Sequence, residues 1–209
     1  MSSRHLVPVL LLFLLGQNPL WAACDYNIAG RSENRFVNLQ DGTVVDRMTG
    51  LQWQRCDLGR AWDTASQRCS TTASNDNIAF NGNWNDALQA VNTMNNSGGF
   101  AGRSDWRLPN VKELGSIVMY HCNPVIDTSI FLEPNQKYWS ATPSRNRVSS
   151  TINVEENNQA VQKLEYRDAA WQVNFVDGAD DIVALPINQN GSVRVVRGPV
   201  NLSQINGGN

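Results

Sequence analysis

The stretch Gly102 to Val118, GRSDWRLPNVKELGSIV, constrains the fold of this chain more than any other. Asn110 stands three residues before Glu113, the capping-box spacing: the Asn side chain accepts from the Glu113 amide, and the Glu carboxylate accepts from the Asn110 amide. Pro109 pushes Leu108 towards extended backbone, so the helix starts after it. Val111, Leu114, Ile117 and Val118 follow at helical spacing and turn one face inward. Trp106 reads as a core anchor. Arg107 reads as an internal polar partner that braces the terminal strand, because a buried guanidinium needs several acceptors.

The chain's 209 residues suit one domain, and 41% hydrophobic residues suffice for a core. A formal net charge of -2 argues against a nucleic-acid partner, which normally demands a basic face. Arg4 and His5 precede the apolar run Leu6 to Leu15, and small residues follow at Ala22 and Ala23, which together read as a secretory signal over residues 1–23. The run is too short to span a bilayer. The remainder is expected to form one domain over 24–198 and a disordered tail over 199–209.

Four cysteines follow the signal, and in an exported chain they read as two disulfides with three pairings open. Cys56 and Cys69 flank a polar loop, so the local pairing is simplest, which leaves Cys24 with Cys122. The alternative is a lipidated Cys24, the one route to a membrane, and a free Cys122. The sequence shows no Cys-x-x-Cys motif and no Cys/His cluster, so no zinc site is expected.

Gly42 to Asp46 and Met48 to Gln54 read as two strands around Thr49-Gly50, with Leu51 and Trp53 inward and Gln52 and Gln54 outward. Asp25 to Gln40 reads as a surface wrap, and Asp57 to Asn83 as loop. Trp84, Leu88, Val91 and Met94 recur at helical spacing, with Asn83 or Asn85 as cap and Gly98-Gly99 as stop, and Trp84 is a second core anchor. Tyr138 to Pro143 is strand-like, whereas Ser144 to Arg167 shows no strong period. Trp171, Val173 and Phe175 alternate with polar residues up to an Asp177-Gly178 turn, and Ser192 to Gly198 gives a last strand.

Six ordered motifs carry a resemblance: Gly42-Thr-Val-Val-Asp-Arg-Met-Thr-Gly-Leu-Gln-Trp-Gln-Arg-Cys56, Trp84-Asn-Asp-Ala-Leu, Ser104-Asp-Trp-Arg-Leu-Pro-Asn-Val-Lys-Glu-Leu114, Tyr138-Trp-Ser-Ala-Thr142, Trp171-Gln-Val-Asn-Phe-Val-Asp-Gly178 and Val193-Arg-Val-Val-Arg-Gly198. Together they resemble the DUF1566 family, also called the Lcl C-terminal domain, from about Phe36 to Gly198. The resemblance implies an α+β, C-type-lectin-like fold, with short antiparallel strands, two helices, long loops and disulfide staples. It also implies a secreted or surface bacterial protein, since members include the end domain of a collagen-like adhesin that binds sulfated glycans. This chain has no Gly-x-y stretch and no basic excess, so neither that trimer nor that ligand carries over. Formylglycine-generating enzymes share the architecture, but nothing here matches their copper-bound cysteines.

The chemistry-bearing residues point away from catalysis. His121, the one histidine after the signal, adjoins Cys122 and reads as structural rather than as a triad base. Glu155, Glu156 and Glu165 lie in polar sequence and read as a solvated face. Asp177, Asp180 and Asp181 around Gly178 are either a charged hairpin tip or ligands for calcium, the one cofactor considered. The expected function is non-enzymatic, adhesin-like recognition of a glycan or surface protein, through loops between Tyr138 and Asp181. Tyr138, Asp177, Asp180 and Asp181 are the candidate ligand residues, while Trp84, Trp106, Arg107, Asn110, Glu113 and Trp171 hold the scaffold. The alternative is a structural or assembly component of the envelope or a pilus. Either way the protein is expected to be exported, to the periplasm, the cell surface or beyond.

Overall fold

The structure, a computed structural model, describes residues 24–25, 34–70, 79–154, 159–185, 189–201 and 203. The expected signal, Glu155, Glu156 and most of the tail lie outside these residues. The fold is strand-rich α+β with two helices and two disulfides.

The first sheet is built on the hairpin of β2 (Thr43–Asp46) and β3 (Gln52–Gln54), with Val44 opposite Trp53. Asp46 shapes its turn. Its carboxylate accepts from the Met48 amide at 2.9 Å, the Thr49 hydroxyl at 3.0 Å and the Arg35 guanidinium at 2.9 and 2.6 Å. Burial works against this charge, but the Arg35 pair and the turn donors outweigh it and hold the carboxyl below its usual range. Two further strands extend the sheet antiparallel to the order β1-β2-β3-β9: β1 (Phe36–Asn38) and β9 (Val196–Arg197). The expected surface wrap therefore supplies a strand. Leu51 to Leu58 is buried at every position, so Gln52 and Gln54 do not face solvent as alternation predicted. Gln52 is satisfied inside by the Thr43 hydroxyl at 2.8 Å and Arg197 at 2.6 Å.

The expected loop from Asp57 contains a small hairpin, β4 (Trp62–Asp63) and β5 (Arg68–Cys69), pinned by the Cys56–Cys69 disulfide. Asp63 forms its turn by accepting from the Ala65 amide, a short-range bond typical of Asp and invisible to hydrophobic periodicity.

The third sheet has the order β6-β7-β8: β6 (Lys137–Val154), β7 (Gln159–Asn174) and β8 (Asp180–Ala184). Pairing runs unbroken from Pro143 opposite Ala170 to Val154 opposite Gln159, so the segment expected to be irregular supplies strand over residues 144–154 and 159–167. Pairing between two segments of the chain leaves no mark in either one when neither carries a hydrophobic period.

Tyr138 and Trp139, adjacent on β6 and both fully buried, face opposite sides of this sheet. Tyr138 joins Trp53, Phe131, Leu114, Ile117 and Phe175 in one core cluster. Trp139 joins Trp106, Leu108, Ala87, Val91 and Val195 in the other. The helices cover these two clusters. Helix α1 (Trp84–Asn96) begins at Asn83, whose side chain accepts from the Asp86 amide at 3.0 Å. Helix α2 (Val111–Ser116) begins at Asn110 with both capping-box bonds present, 2.9 Å to the Glu113 amide and 2.8 Å back to the Asn110 amide. The C-terminal segment stays attached beyond β9, the Val200 amide donating to the Gly50 carbonyl at 2.7 Å.

Candidate functional site

Tyr138, expected to face a ligand, is instead at the buried polar centre of the fold. Its hydroxyl donates to Asp57 Oδ1 at 2.7 Å and accepts from the Asn135 amide at 2.7 Å. Arg194 completes the group, donating to the same Asp57 oxygen at 2.5 Å, to the Tyr138 hydroxyl at 3.2 Å and to the Gln54 carbonyl at 3.1 Å. Its guanidinium also lies over the Phe131 and Tyr138 rings, 5.2 and 5.4 Å from their centroids. Burial raises the Asp57 carboxyl against the pull of Arg194, and burial raises the Tyr138 phenol so that it stays a neutral donor. The Tyr-Trp motif lies on a strand covered on both faces, which turns both rings inward. Tyr138 is therefore part of the scaffold, with no surface open to a ligand.

Arg107 also differs from expectation. Its guanidinium is part-exposed and pairs with both Glu113 oxygens at 2.7 Å, so Glu113 serves the cap and the ion pair together. The terminal strand is held by the Arg107 backbone, which exchanges bonds of 2.9 and 3.0 Å with Val196. Arg197 makes the cross-chain side-chain link, to Asp105 at 2.7 and 3.0 Å. Trp106 is buried and donates to the Phe100 carbonyl at 3.0 Å. Trp84 is half-buried and donates to the Ser140 carbonyl at 2.8 Å. Trp171 lies in neither core cluster; half-buried, it pairs across strands with the exposed Ile182.

Among the described residues, the large aromatic side chain left mostly exposed is Tyr120, which packs against the β7–β8 turn. After α2 the chain runs through Val118 and Tyr120 into a loop fixed at three points. The Met119 amide donates to the Val125 carbonyl at 2.7 Å, Val125 donates to Phe175 at 2.9 Å, and Cys122 is joined to Cys24. Tyr120 is 75% exposed, although it is anchored from behind. Gly178, at φ +80°, lies directly beneath it: a Cβ there would stand 2.6 Å from the ring and 2.9 Å from Val118, so glycine is needed for the turn and for the packing. Val176, 52% exposed, and Asp177 occupy the same β7–β8 turn, where Asp177 accepts from the Ala179 amide at 3.0 Å.

The three aspartates do not converge. Asp180 and Asp181 are successive residues of β8, opposite Val173 and Gln172, and so point to opposite faces. Among the described residues, the one group of three or more metal-ligand side chains is Cys24, His121 and Cys122, whose ligand atoms lie within 4.8 Å of one another. The sequence shows no such cluster, because Cys24 is 98 positions from Cys122 and only the fold brings it beside His121. The Cys24 sulfur, which a lipid anchor would require, is bonded to Cys122.

The sequence profile of the Lcl C-terminal domain matches residues 42–197, which takes in every described strand but β1, both helices and the β7–β8 turn. The chain belongs to the Lcl C-terminal domain family. No curated protein matches it. In this Lcl C-terminal domain both disulfides are formed and no cysteine is free, which marks an oxidising, extracytoplasmic environment. No helix among the described residues is long and apolar enough to cross a membrane. Sequence reasoning passed over Tyr120 because nothing near it in the chain marks its exposure or its support. The available signal was Gly178, a turn glycine that leaves room for a ring.

Proposed function

We propose that this Lcl C-terminal domain is an exported, non-enzymatic recognition module on a C-type-lectin-like scaffold, displayed at or beyond a bacterial surface. Its adhesin-like ligand is a glycan held at the Tyr120 corner. The observation that carries the reading is Tyr120 itself, a ring mostly open to solvent yet backed by Gly178, Val118 and the disulfide-stapled loop. An aromatic face held rigid offers a sugar a flat apolar surface at little entropic cost, and its hydroxyl remains free to hydrogen-bond. Val176 extends the apolar surface, and the exposed Asp177 carboxylate supplies an acceptor for sugar hydroxyls. His121 adjoins a disulfide, and the fully buried Asp57 carboxylate is engaged by Arg194, which supports a non-enzymatic reading.

A glycan array probed with the wild-type chain and with Tyr120→Ala tests the proposal. Saccharide signals that disappear in the variant, with unchanged thermal stability, are expected. A blank array, or the same pattern from both chains, contradicts it. The second reading, an envelope or pilus assembly component, is favoured by the β6–β7 ribbon. Beyond Arg145 and Asp168 its strands pair only with each other among the described residues, leaving edges that could accept another chain's strand. Stoichiometric co-purification with envelope machinery, together with a blank array, would establish that role instead.

A further inference from the structure

We propose that reduction of the Cys24–Cys122 disulfide turns this corner into a zinc site, with Cys24 Sγ, Cys122 Sγ and a ring nitrogen of His121 as ligands. All three ligand atoms already lie within 4.8 Å of one another, a spread that one ion can bridge with small side-chain rotations. The backbone that presents them does not depend on the S–S bond alone. Cys24 and Cys122 form an antiparallel bridge, the Asp25 amide donates to the His121 carbonyl at 2.8 Å, and the Cys122 amide donates to the Met119 carbonyl at 2.9 Å. Cys122 is buried, but Cys24 and His121 are half-buried, so reductant and metal reach this disulfide from the Cys24 side, whereas Cys56 and Cys69 are both buried.

The donor set selects the ion. Two thiolates and an imidazole favour zinc or another borderline-soft cation and disfavour calcium and magnesium, which want oxygen ligands. The step balances with a dithiol or phosphine reductant. Two electrons from the reductant cleave the S–S bond and, with two protons, give two thiols. Both thiols then release their protons to solvent as the metal binds, and the imidazole coordinates in its neutral form. The bound ion replaces the covalent staple and keeps the N-terminal segment and the Tyr120 loop joined in reducing surroundings.

The test uses the untagged full chain as it is secreted, reduced with a phosphine under argon and titrated with cobalt(II) as a spectroscopic stand-in for zinc. One equivalent should produce thiolate-to-cobalt charge-transfer absorption that zinc displaces, while the oxidised chain produces none. His121→Asn should weaken binding at least tenfold, and Cys24→Ser should abolish the absorption while leaving Cys56 and Cys69 in place. Absorption unchanged in either variant overturns the proposal, as does its absence from the reduced wild type. Thermal melting of the reduced chain gives a second readout: zinc should raise its midpoint, and a reduced chain that unfolds identically with and without zinc also overturns the proposal.

Discussion

Replacing Asp57 by Ala would leave the Arg194 guanidinium fully buried, with the Gln54 and Arg55 carbonyls, the Tyr138 hydroxyl and two ring faces but no counter-charge. Breaking a buried ion pair from one side costs about 3–5 kcal/mol. In a domain of this size each kcal/mol corresponds to about 2–4 °C, so the midpoint should fall by roughly 6–20 °C. Arg194→Met should cost less. Asp57 keeps the Tyr138 hydroxyl at 2.7 Å and the Asn135 amide group at 2.8 Å, and a carboxyl already pushed up by burial can take a proton. The double variant buries no charge, so it should be more stable than the sum of the two losses implies, by about 2–3 kcal/mol. Urea unfolding of all four chains under oxidising conditions, followed by tryptophan fluorescence, measures the cycle. Additivity to within about 0.5 kcal/mol would refute the claim that this pair organises the interior.

Trp106→Ala removes a buried indole and its bond to Phe100, and should destabilise by about 3–5 kcal/mol, read by the same unfolding assay. Asn110→Ala deletes one half of the α2 cap and should cost about 1 kcal/mol. Acid should destabilise the fold through Asp46. A carboxyl depressed in the folded state contributes stability above its unfolded pKa of about 4 and loses it as pH falls through the lower folded value. Asp57, raised by burial, acts with the opposite sign, so the informative quantity is the difference between wild type and Asp46→Asn, which should shrink below about pH 4. Millimolar calcium should leave the melting temperature unchanged, because Asp177, Asp180 and Asp181 do not share a face; a rise would show that they converge on the ion.

The sequence made the local chemistry legible. Asn110 and Glu113 announce their helix because a capping box is complete within four residues. The disulfide pairing followed from one short polar loop and elimination. Periodicity failed at two places. Gln52 and Gln54 looked outward because alternation presumes a solvent face, and β3 has none. The ribbon of β6 and β7 looked irregular because its sequence carries no hydrophobic period, and the pairing that makes it strand joins two separate segments. Tyr138 was misplaced and Tyr120 missed for a related reason. A tyrosine on a strand can be buried once Asp57, Asn135 and Arg194 satisfy its hydroxyl, and those partners lie up to 81 positions away. Tyr120 is exposed because a glycine 58 residues later leaves its ring no pocket, only a support. Pairings at such separations are set by the fold, and no window along the chain contains them.

The central claim is that the Tyr120 corner is where this domain meets its ligand. Titrating the isotopically labelled chain with the strongest array saccharide, while recording amide chemical shifts, tests it most directly. The account predicts that the largest shifts cluster at residues 118–122 and 175–179 and vanish in Tyr120→Ala. Shifts centred instead on the Cys56–Cys69 hairpin or along the β6–β7 ribbon, with Tyr120→Ala binding as the wild type does, would contradict it.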